Sequence, residues 1–286
     1  MTTTPHELHR LAAFTDDPRG GNPAGVWLGD ALPPADRMQR IAAEVGYSET
    51  AFLAPASGDA WEVRYFSPLA EVPFCGHATI ASGVVLGRRC GSGTYRLATR
   101  VGDVRVQVER EGDAWQASLQ SVPTRQRPVP PTVLDEALAA LDWRAEALDP
   151  QLPPMLAYAG AWHLVLAVSS HPRLERLHYD FERLKTLMLA HDLTTLQLVW
   201  RETPTRLHAR NPFPVGGVIE DPATGAAAAA LGGHLRDASL MPVPGGFQLI
   251  QGATMGRPSL LQVTVPAGGG IIVAGNAVDM PAPGAG

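Results

Sequence analysis

A run of very small residues between positions 223 and 233 restricts the fold of this chain more than any other feature. The run reads Ala-Thr-Gly-Ala-Ala-Ala-Ala-Ala-Leu-Gly-Gly and follows Glu220-Asp221-Pro222. Alanine is the strongest helix former, and a first helical turn accepts proline. A helix without a polar face over about three turns must be buried. The run therefore predicts a helix through the middle of a domain, with Asp221 at its N-terminus.

The segment from Phe66 to Gly87 repeats this arrangement, because a proline-bearing loop again leads into a helix of small residues. Pro68 precedes Thr79 by 11 positions, and Pro214 precedes Thr224 by 10. This spacing predicts an internal two-fold repeat with one buried helix in each half. A helix N-terminus carries unpaired N–H groups and the positive end of the helix dipole. Two such ends facing each other would hold a carboxylate between them.

The order of elements predicts an α+β fold of two similar halves, each a curved, barrel-like sheet around its own central helix. Strands, a surface helix at 33–45, further strands and a buried helix occur in that order, and the order then recurs. The predicted halves are residues 1–124 and 125–286. The proline- and arginine-rich segment 123–131 is predicted to link them. A last strand near 271–279 can cross back to the first half.

Composition excludes several classes of function. The chain has 286 residues with a net charge of −5 and scattered arginines, which argues against a nucleic-acid surface. No apolar run is long enough to span a bilayer, and the N-terminus lacks a signal-peptide pattern. The chain has two cysteines, no phosphate-cradling glycine motif and no metal spacing of histidines. We expect a cytoplasmic protein without cofactor, metal site or membrane partner.

Glu49 is the first candidate for chemistry, since small or apolar residues surround it in the predicted strand 47–53. A carboxylate in such surroundings can act as general acid and base. The alternative is a solvated charge on an edge strand, because most glutamates are exposed.

His77 and Asp221 are the second and third candidates, one at the start of each predicted buried helix. A helix N-terminus favours a neutral imidazole, which can donate or accept a hydrogen bond. The alternatives are a core or capping histidine and a capping aspartate.

Cys75 also lies at the first helix start, where thiols are commonly activated. The other cysteine, Cys90, lies 15 residues further on, which is roughly 20 Å along a helix. A racemase that uses two opposed thiols is therefore not expected, and Cys75 fits a small buried residue.

Several motifs together resemble the PhzF-like family of phenazine-biosynthesis isomerase-like proteins, which have the diaminopimelate-epimerase fold. The motifs occur in family order from residue 14 to residue 259: Phe14-Thr15, Gly21-Asn22-Pro23, Tyr47-Ser48-Glu49-Thr50-Ala51-Phe52, Glu71-Val72-Pro73-Phe74-Cys75-Gly76-His77-Ala78-Thr79, Glu220-Asp221-Pro222-Ala223-Thr224-Gly225 and the segment from Gln251 to Ser259.

The resemblance implies an interdomain active site and cofactor-free proton transfer, with Glu49 as acid and base and with His77 and Asp221 assisting. It also implies a homodimer. The predicted substrate-binding residues come from the matching motifs and the two helix starts: Asn22, Ser48, Gly76, Ala78, Thr224, Gly225, Ala226 and Gln251. Ala226 stands where the family often has serine. Cys75-Gly76-His77-Ala78 stands where phenazine producers have Ala-Gly-His-Pro.

These observations together predict an isomerase that moves a proton within a small carboxylate-bearing substrate. Two alternatives stay open. One is a catalytically inactive protein of the same fold that binds a small acid or a partner. The other is an epimerase that uses one thiol, Cys75, together with Glu49.

Overall fold

The computed structural model describes residues 6–281 and divides the chain into two compact units. Among the described residues, the first unit comprises 6–119 and 274–281, and the second comprises 120–273. The predicted α+β class, with a barrel-like sheet around a helix in each half, is confirmed. None of the helices in the described part of the chain combines the length and apolar character needed to cross a bilayer.

Strands outnumber helices along the described chain. The chain begins with β1 (His6–Ala13), β2 (Asn22–Gly29), α1 (Ala35–Val45), β3 (Glu49–Pro55), β4 (Ala60–Phe66), β5 (Glu71–Val72), α2 (Gly76–Cys90), β6 (Gly93–Thr99), β7 (Gly102–Glu111) and β8 (Ala114–Gln120). It continues with β9 (Arg125–Pro128), α3 (Pro131–Ala140), β10 (Met155–Tyr158), β11 (Trp162–Ala167), α4 (His171–Glu175), α5 (Phe181–Ala190), β12 (Leu193–Thr203), β13 (Arg206–Arg210), β14 (Pro212–Phe213), β15 (Val218–Glu220), α6 (Gly225–Asp237), β16 (Gly245–Gln251), β17 (Ser259–Val265) and β18 (Ile272–Asp279).

The sheet of the first unit closes into a barrel of eight strands. Its order is β1-β2-β3-β4-β6-β7-β8-β18, and β18 pairs again with β1 through Leu11 and Asp279. Helix α2 runs inside this sheet and is buried continuously from His77 to Gly87. Full burial follows from the sequence, since this stretch carries no charged side chain on any face.

Two glycines allow α2 to approach the sheet closely. A Cβ added at Gly83 would lie 2.7 Å from Val106 and 2.9 Å from Ala117. A Cβ added at Gly87 would lie 2.5 Å from Val108. Carbon atoms prefer separations of about 3.5–4.0 Å, so any larger residue at either position would displace the helix or the strands.

The second unit contains a seven-stranded path in the order β17-β16-β13-β12-β11-β10-β9. Helix α6 is buried from Ala227 to Leu235 and contacts β9, β10, β11, β12 and β17. Helices α3 and α5 pack with α4 and strands β10 to β12 in a separate apolar cluster that includes Leu141, Leu164 and Leu184. The predicted buried helices thus occur in both units.

The segment predicted as a linker, 123–131, instead contains β9, which pairs with β10 in antiparallel register. Its arginines are ordered by aromatic rings of neighbouring strands. The guanidinium of Arg125 lies 4.2 Å from the ring centroid of Tyr158, and that of Arg127 lies 4.5 Å from Trp162. Proline and arginine suit β9 because it is the last strand in the order of the sheet, so only one of its two edges forms ladder hydrogen bonds with a neighbouring strand.

The start predicted for the second buried helix is also wrong. Helix α6 begins at Gly225 with Thr224 as its N-cap, so Asp221 and Pro222 precede the helix. The N–H group of Asp221 donates to the carbonyl of Asn211 at 3.0 Å, which keeps this segment in line with β15. Thr79, the residue that the internal repeat pairs with Thr224, is not at a helix start and lies inside α2. Strands β5, β10, β14 and β15 and the short helix α4 were missed as well.

Candidate active site

Two neighbouring parallel strands bring Asn22 and Glu49 to one end of the first unit's barrel. Glu49 is the first residue of β3 and lies opposite Ala24 of β2, while Asn22 is the first residue of β2. The side chain of Glu49 is 20% exposed, and the following residues from Ala51 to Ala54 are buried. The apolar residues predicted around Glu49 are therefore its neighbours in β3.

The start of α2 is held in place by a chain of buried hydroxyl groups. Cys75 is the extended N-cap residue, and Thr79 donates its hydroxyl proton to the carbonyl of Cys75 at 2.6 Å. The hydroxyl of Tyr65 lies 2.7 Å from that of Thr79 and must donate to it, because the only hydroxyl proton of Thr79 is already used. Burial raises the pKa of Tyr65, so the phenol keeps this proton.

The side chain of His77 lies at the centre of the candidate site and is 8% exposed. Its Nε2 lies 3.4 Å from Oε2 of Glu49 and 3.3 Å from the hydroxyl of Ser48. Its Nδ1 lies 3.2 Å from the amide nitrogen of Asn22. With the proton on Nε2, Nδ1 accepts from Asn22 while Nε2–H faces Glu49 and Ser48. In this tautomer Nδ1 serves Asn22, and the single Nε2–H lies between the carboxylate of Glu49 and the hydroxyl of Ser48.

The thiol of Cys75 belongs to the same cluster. Its Sγ donates to Oε2 of Glu49 at 3.5 Å and lies 3.4 Å from Nδ1 of His77. The sequence predicts a small buried residue at position 75, and Cys75 is indeed buried. Its contact with the carboxylate agrees with the pairing of Cys75 and Glu49 in the epimerase alternative, although residue spacing alone does not place residue 75 beside residue 49. Cys90 is exposed and ends α2, far from this cluster.

A salt-bridge group fixes the loop that leads into α2. Glu71 accepts from Arg64 at 2.8 and 2.7 Å and from Arg100 at 2.5 and 2.9 Å. The Arg64 hydrogen bonds lower the pKa of Glu71 to about 2, with a smaller contribution from Arg100. Glu71 belongs to the family motif, and its structural role could be assigned only once its partners were known.

In the second unit, Asp221, Thr224 and Gln251 form a connected group before α6. The carboxylate of Asp221 accepts from the Thr224 hydroxyl at 2.5 Å. Gln251 is 1% exposed, donates to the carbonyl of Asp221 at 2.7 Å, and accepts from the N–H of Thr224 at 3.3 Å. The amide of Gln251 thus orders the turn before the helix. A direct contact between Gln251 and substrate stays a prediction.

The remaining predicted residues lie in the first turns of the two buried helices. Gly76 and Ala78 begin α2, and a Cβ added at Gly76 would have no heavy atom within 4 Å outside its chain neighbours and local helical backbone. Gly225 and Ala226 begin α6. The first N–H groups of any helix lack intrahelical partners and attract anions. The substrate roles of these four residues stay predictions.

The first unit thus defines a class of protein in which a carboxylate, an imidazole and a thiol meet at the start of a barrel-enclosed helix. A family model described as phenazine biosynthesis-like protein (PhzC-PhzF) matches residues 11–281. The chain belongs to this family, as the motif resemblance predicts.

Known relatives cover almost the whole chain. "Uncharacterized isomerase YddE" of Escherichia coli strain K12 is 30% identical, and the alignment covers 91% of this chain and 90% of that protein. The trans-2,3-dihydro-3-hydroxyanthranilate isomerase of Pseudomonas fluorescens is 32% identical, with coverage of 90% and 89%. A Bacillus anthracis phenazine biosynthesis protein of the PhzF family superposes with a TM-score of 0.85 at 23% identity, with 98% of each chain covered. The prediction of an isomerase is confirmed by these relatives.

Proposed function

We propose that the chain is a cofactor-independent isomerase that moves a proton within a small carboxylate-bearing substrate, with Glu49 as general acid and base. The observation that carries this proposal is the position of the Glu49 carboxylate. It is partly exposed at the start of β3 and lies within reach of the imidazole of His77 and the thiol of Cys75. General acid and base catalysis requires a proton-carrying group that can meet substrate and is held in place.

The reaction is a transfer within one molecule. Glu49 removes a proton from a carbon next to an unsaturated or carbonyl-bearing group of the substrate, and the electron pair of the broken C–H bond moves into that group. The resulting carboxylic acid returns the proton to a different carbon, so product and substrate have the same composition. His77 donates a hydrogen bond from Nε2 to the negative charge of the deprotonated substrate. Asn22 holds the imidazole in the tautomer that this requires.

The substrate carboxylate is proposed to bind at a helix N-terminus. The first turn of α2 offers backbone N–H groups at Gly76, His77 and Ala78, and the space beside Gly76 is open. Asp221 is proposed to assist the proton transfer, and the start of α6 is proposed to take part in binding. The Pseudomonas fluorescens relative acts on trans-2,3-dihydro-3-hydroxyanthranilate. This compound is the first substrate to test, although Cys75 and Ala78 depart from the pattern of phenazine producers and Ala226 stands where the family often has serine.

A second candidate is favoured by the contact of Cys75 with Glu49. A thiol at 3.5 Å from the carboxylate could serve as the second acid or base of an epimerase. The two candidates differ in whether one group or two groups handle the proton.

Exchange of substrate protons with solvent deuterium, followed by nuclear magnetic resonance, tests the proposal. We expect Glu49→Gln to lower the exchange rate by at least about 10²-fold while circular dichroism stays unchanged. Glu62→Gln, at an exposed position of β4, is the matched control. Unchanged exchange in Glu49→Gln would refute the assignment of Glu49.

Cys75→Ala separates the two candidates in the same assay. Most activity is retained if Glu49 alone carries the proton. A loss as large as that of Glu49→Gln would show the thiol–carboxylate epimerase. Binding of carboxylates by the wild type without any exchange would point to the inactive binding protein.

A further inference from the structure

The side chains of Glu49, Cys75 and His77 form a group with the donor atoms of a transition-metal site. One oxygen, one sulfur and one ring nitrogen lie within 4.8 Å of one another. The distances are 3.5 Å from Sγ of Cys75 to Oε2 of Glu49, 3.8 Å from Sγ to Nε2 of His77, and 3.4 Å from Nε2 to Oε2. A thiolate, an imidazole and a carboxylate together are a donor set that Zn²⁺ accepts.

The size of this triangle fits a tetrahedral zinc ion. Zinc binds sulfur at about 2.3 Å and nitrogen or oxygen at about 2.0–2.2 Å. At tetrahedral angles these bonds give sulfur–nitrogen and sulfur–oxygen separations of about 3.6 Å and a nitrogen–oxygen separation of about 3.4 Å. The observed triangle deviates from these values by only a few tenths of an ångström. An ion can therefore enter without movement of β3 or α2.

The surroundings of the three side chains suit the same ion. Sγ of Cys75 lies near both ring nitrogens of His77, so a rotation of the ring about χ2, which is a soft torsion, aims Nε2 at the ion. Nδ1 then carries the proton and donates a hydrogen bond to Oδ1 of Asn22, once the side-chain amide of Asn22 is flipped. Such an acceptor on the second nitrogen is typical of zinc-bound histidine. The partial exposure of Glu49 leaves the fourth position to water.

We propose that Zn²⁺ binds reversibly to Glu49, Cys75 and His77 and inhibits the enzyme by occupying its proton-transfer group. Binding replaces the thiol proton of Cys75 by the ion, and this proton is released to the solvent. The carboxylate of Glu49 then shares its electron pair with zinc and can no longer accept a substrate proton. The binding itself stands on the geometry alone, whereas the inhibition rests on the proposed function.

Metal titration of the full-length protein tests the binding without any turnover. We expect one Zn²⁺ per chain by calorimetry, and Co²⁺ in its place should show a thiolate charge-transfer band. Cys75→Ser should remove the band and weaken binding by more than the about 10–100-fold that loss of an outer-shell partner costs. Glu49→Gln and His77→Gln should weaken it likewise. The matched control is Cys90→Ser, since Cys90 is exposed at the other end of α2. Wild-type affinity in Cys75→Ser, or a band that disappears only in Cys90→Ser, would overturn the proposal.

Alkylation of the wild-type protein gives a test that does not depend on any variant. Zn²⁺ should slow the reaction of Cys75 with iodoacetamide at least tenfold, as read by mass spectrometry, and leave that of Cys90 unchanged. Equal rates at Cys75 with and without zinc would refute the site. Deuterium exchange that persists in Glu49→Gln would refute the proposed function but leave zinc binding intact, so the two failures are distinguishable.

Discussion

Replacing Gly83 by alanine tests whether α2 fills the barrel of the first unit as tightly as the structure indicates. The added Cβ would lie 2.7 Å from Cγ1 of Val106, 2.9 Å from Cβ of Ala117 and 3.4 Å from Cγ2 of Val108. All three neighbours are fully buried. The Cβ of Ala117 has no torsion that could move it away, so the helix or the strands must shift.

The expected change in the free energy of unfolding has two contributions of opposite sign. Overpacking of a filled core costs about 1–3 kcal/mol, and alanine in place of glycine in a helix contributes about 1 kcal/mol in return. Two contacts below 3.0 Å place the Gly83 cost in the upper part of that range. We therefore expect Gly83→Ala to lower the free energy of unfolding by about 1–2 kcal/mol.

Gly232→Ala in α6 is the matched control. There the added Cβ would meet only side-chain ends, at 3.0 Å from Ile271 and at 3.3 Å from Val263 and Val265. The cost is smaller, so the change should stay within about 1 kcal/mol of zero. Urea unfolding followed by circular dichroism measures both variants, provided that the slopes match that of the wild type. A Gly83→Ala variant as stable as the wild type would show that the barrel has room around α2.

Two further predictions concern a salt bridge and ligand charge. Glu71→Gln should lower the free energy of unfolding at pH 7 by about 1 kcal/mol after allowance for solvent screening, because Arg64 and Arg100 lose their partner. The folded-state pKa of Glu71 is depressed to about 2, so this contribution is present above pH about 4.5 and is lost as the pH falls toward 2. Urea unfolding at pH 7 and at pH 2.5 measures the difference in free energy of unfolding between variant and wild type. An equal difference at the two pH values would contradict the prediction. Small carboxylates should bind more tightly than amides of the same shape, because charge-assisted hydrogen bonds to helix N–H groups are stronger; equal affinities by calorimetry would mean that the helix starts only pack the core.

The parts of the fold that depend on local sequence could be predicted. The apolar face of 33–45 predicts a surface helix, and α1 occupies Ala35–Val45 with Met38, Ala42 and Val45 buried. The stretch from His77 to Gly87 carries no charged side chain and therefore predicts a buried helix, because burial of an unpaired charge is costly. Both predictions use only the periodicity and polarity of neighbouring residues.

Elements that depend on distant partners were predicted less well. The composition of 123–131 indicates a linker, but Arg125 and Arg127 form a strand because Tyr158 and Trp162 lie beside them. The start of α6 was placed too early, because proline after Asp221 also suits the turn that Asn211 and Gln251 hold. In each case the deciding partner is 10 or more residues away in the chain.

The sequence by itself determined which residue types are present for chemistry and that two helices must be buried. The residues themselves indicated Glu49 and His77 as separate candidates, which only the family resemblance joined in one active site, and the histidine spacing gave no sign of a metal site. Only the tertiary structure brought these two side chains and Cys75 to within 4.8 Å of one another. The physical reason is that the parallel register of β2 and β3 and the N-cap of α2 fix this cluster. Both are set by long-range packing and hydrogen bonds, which a linear pattern does not encode.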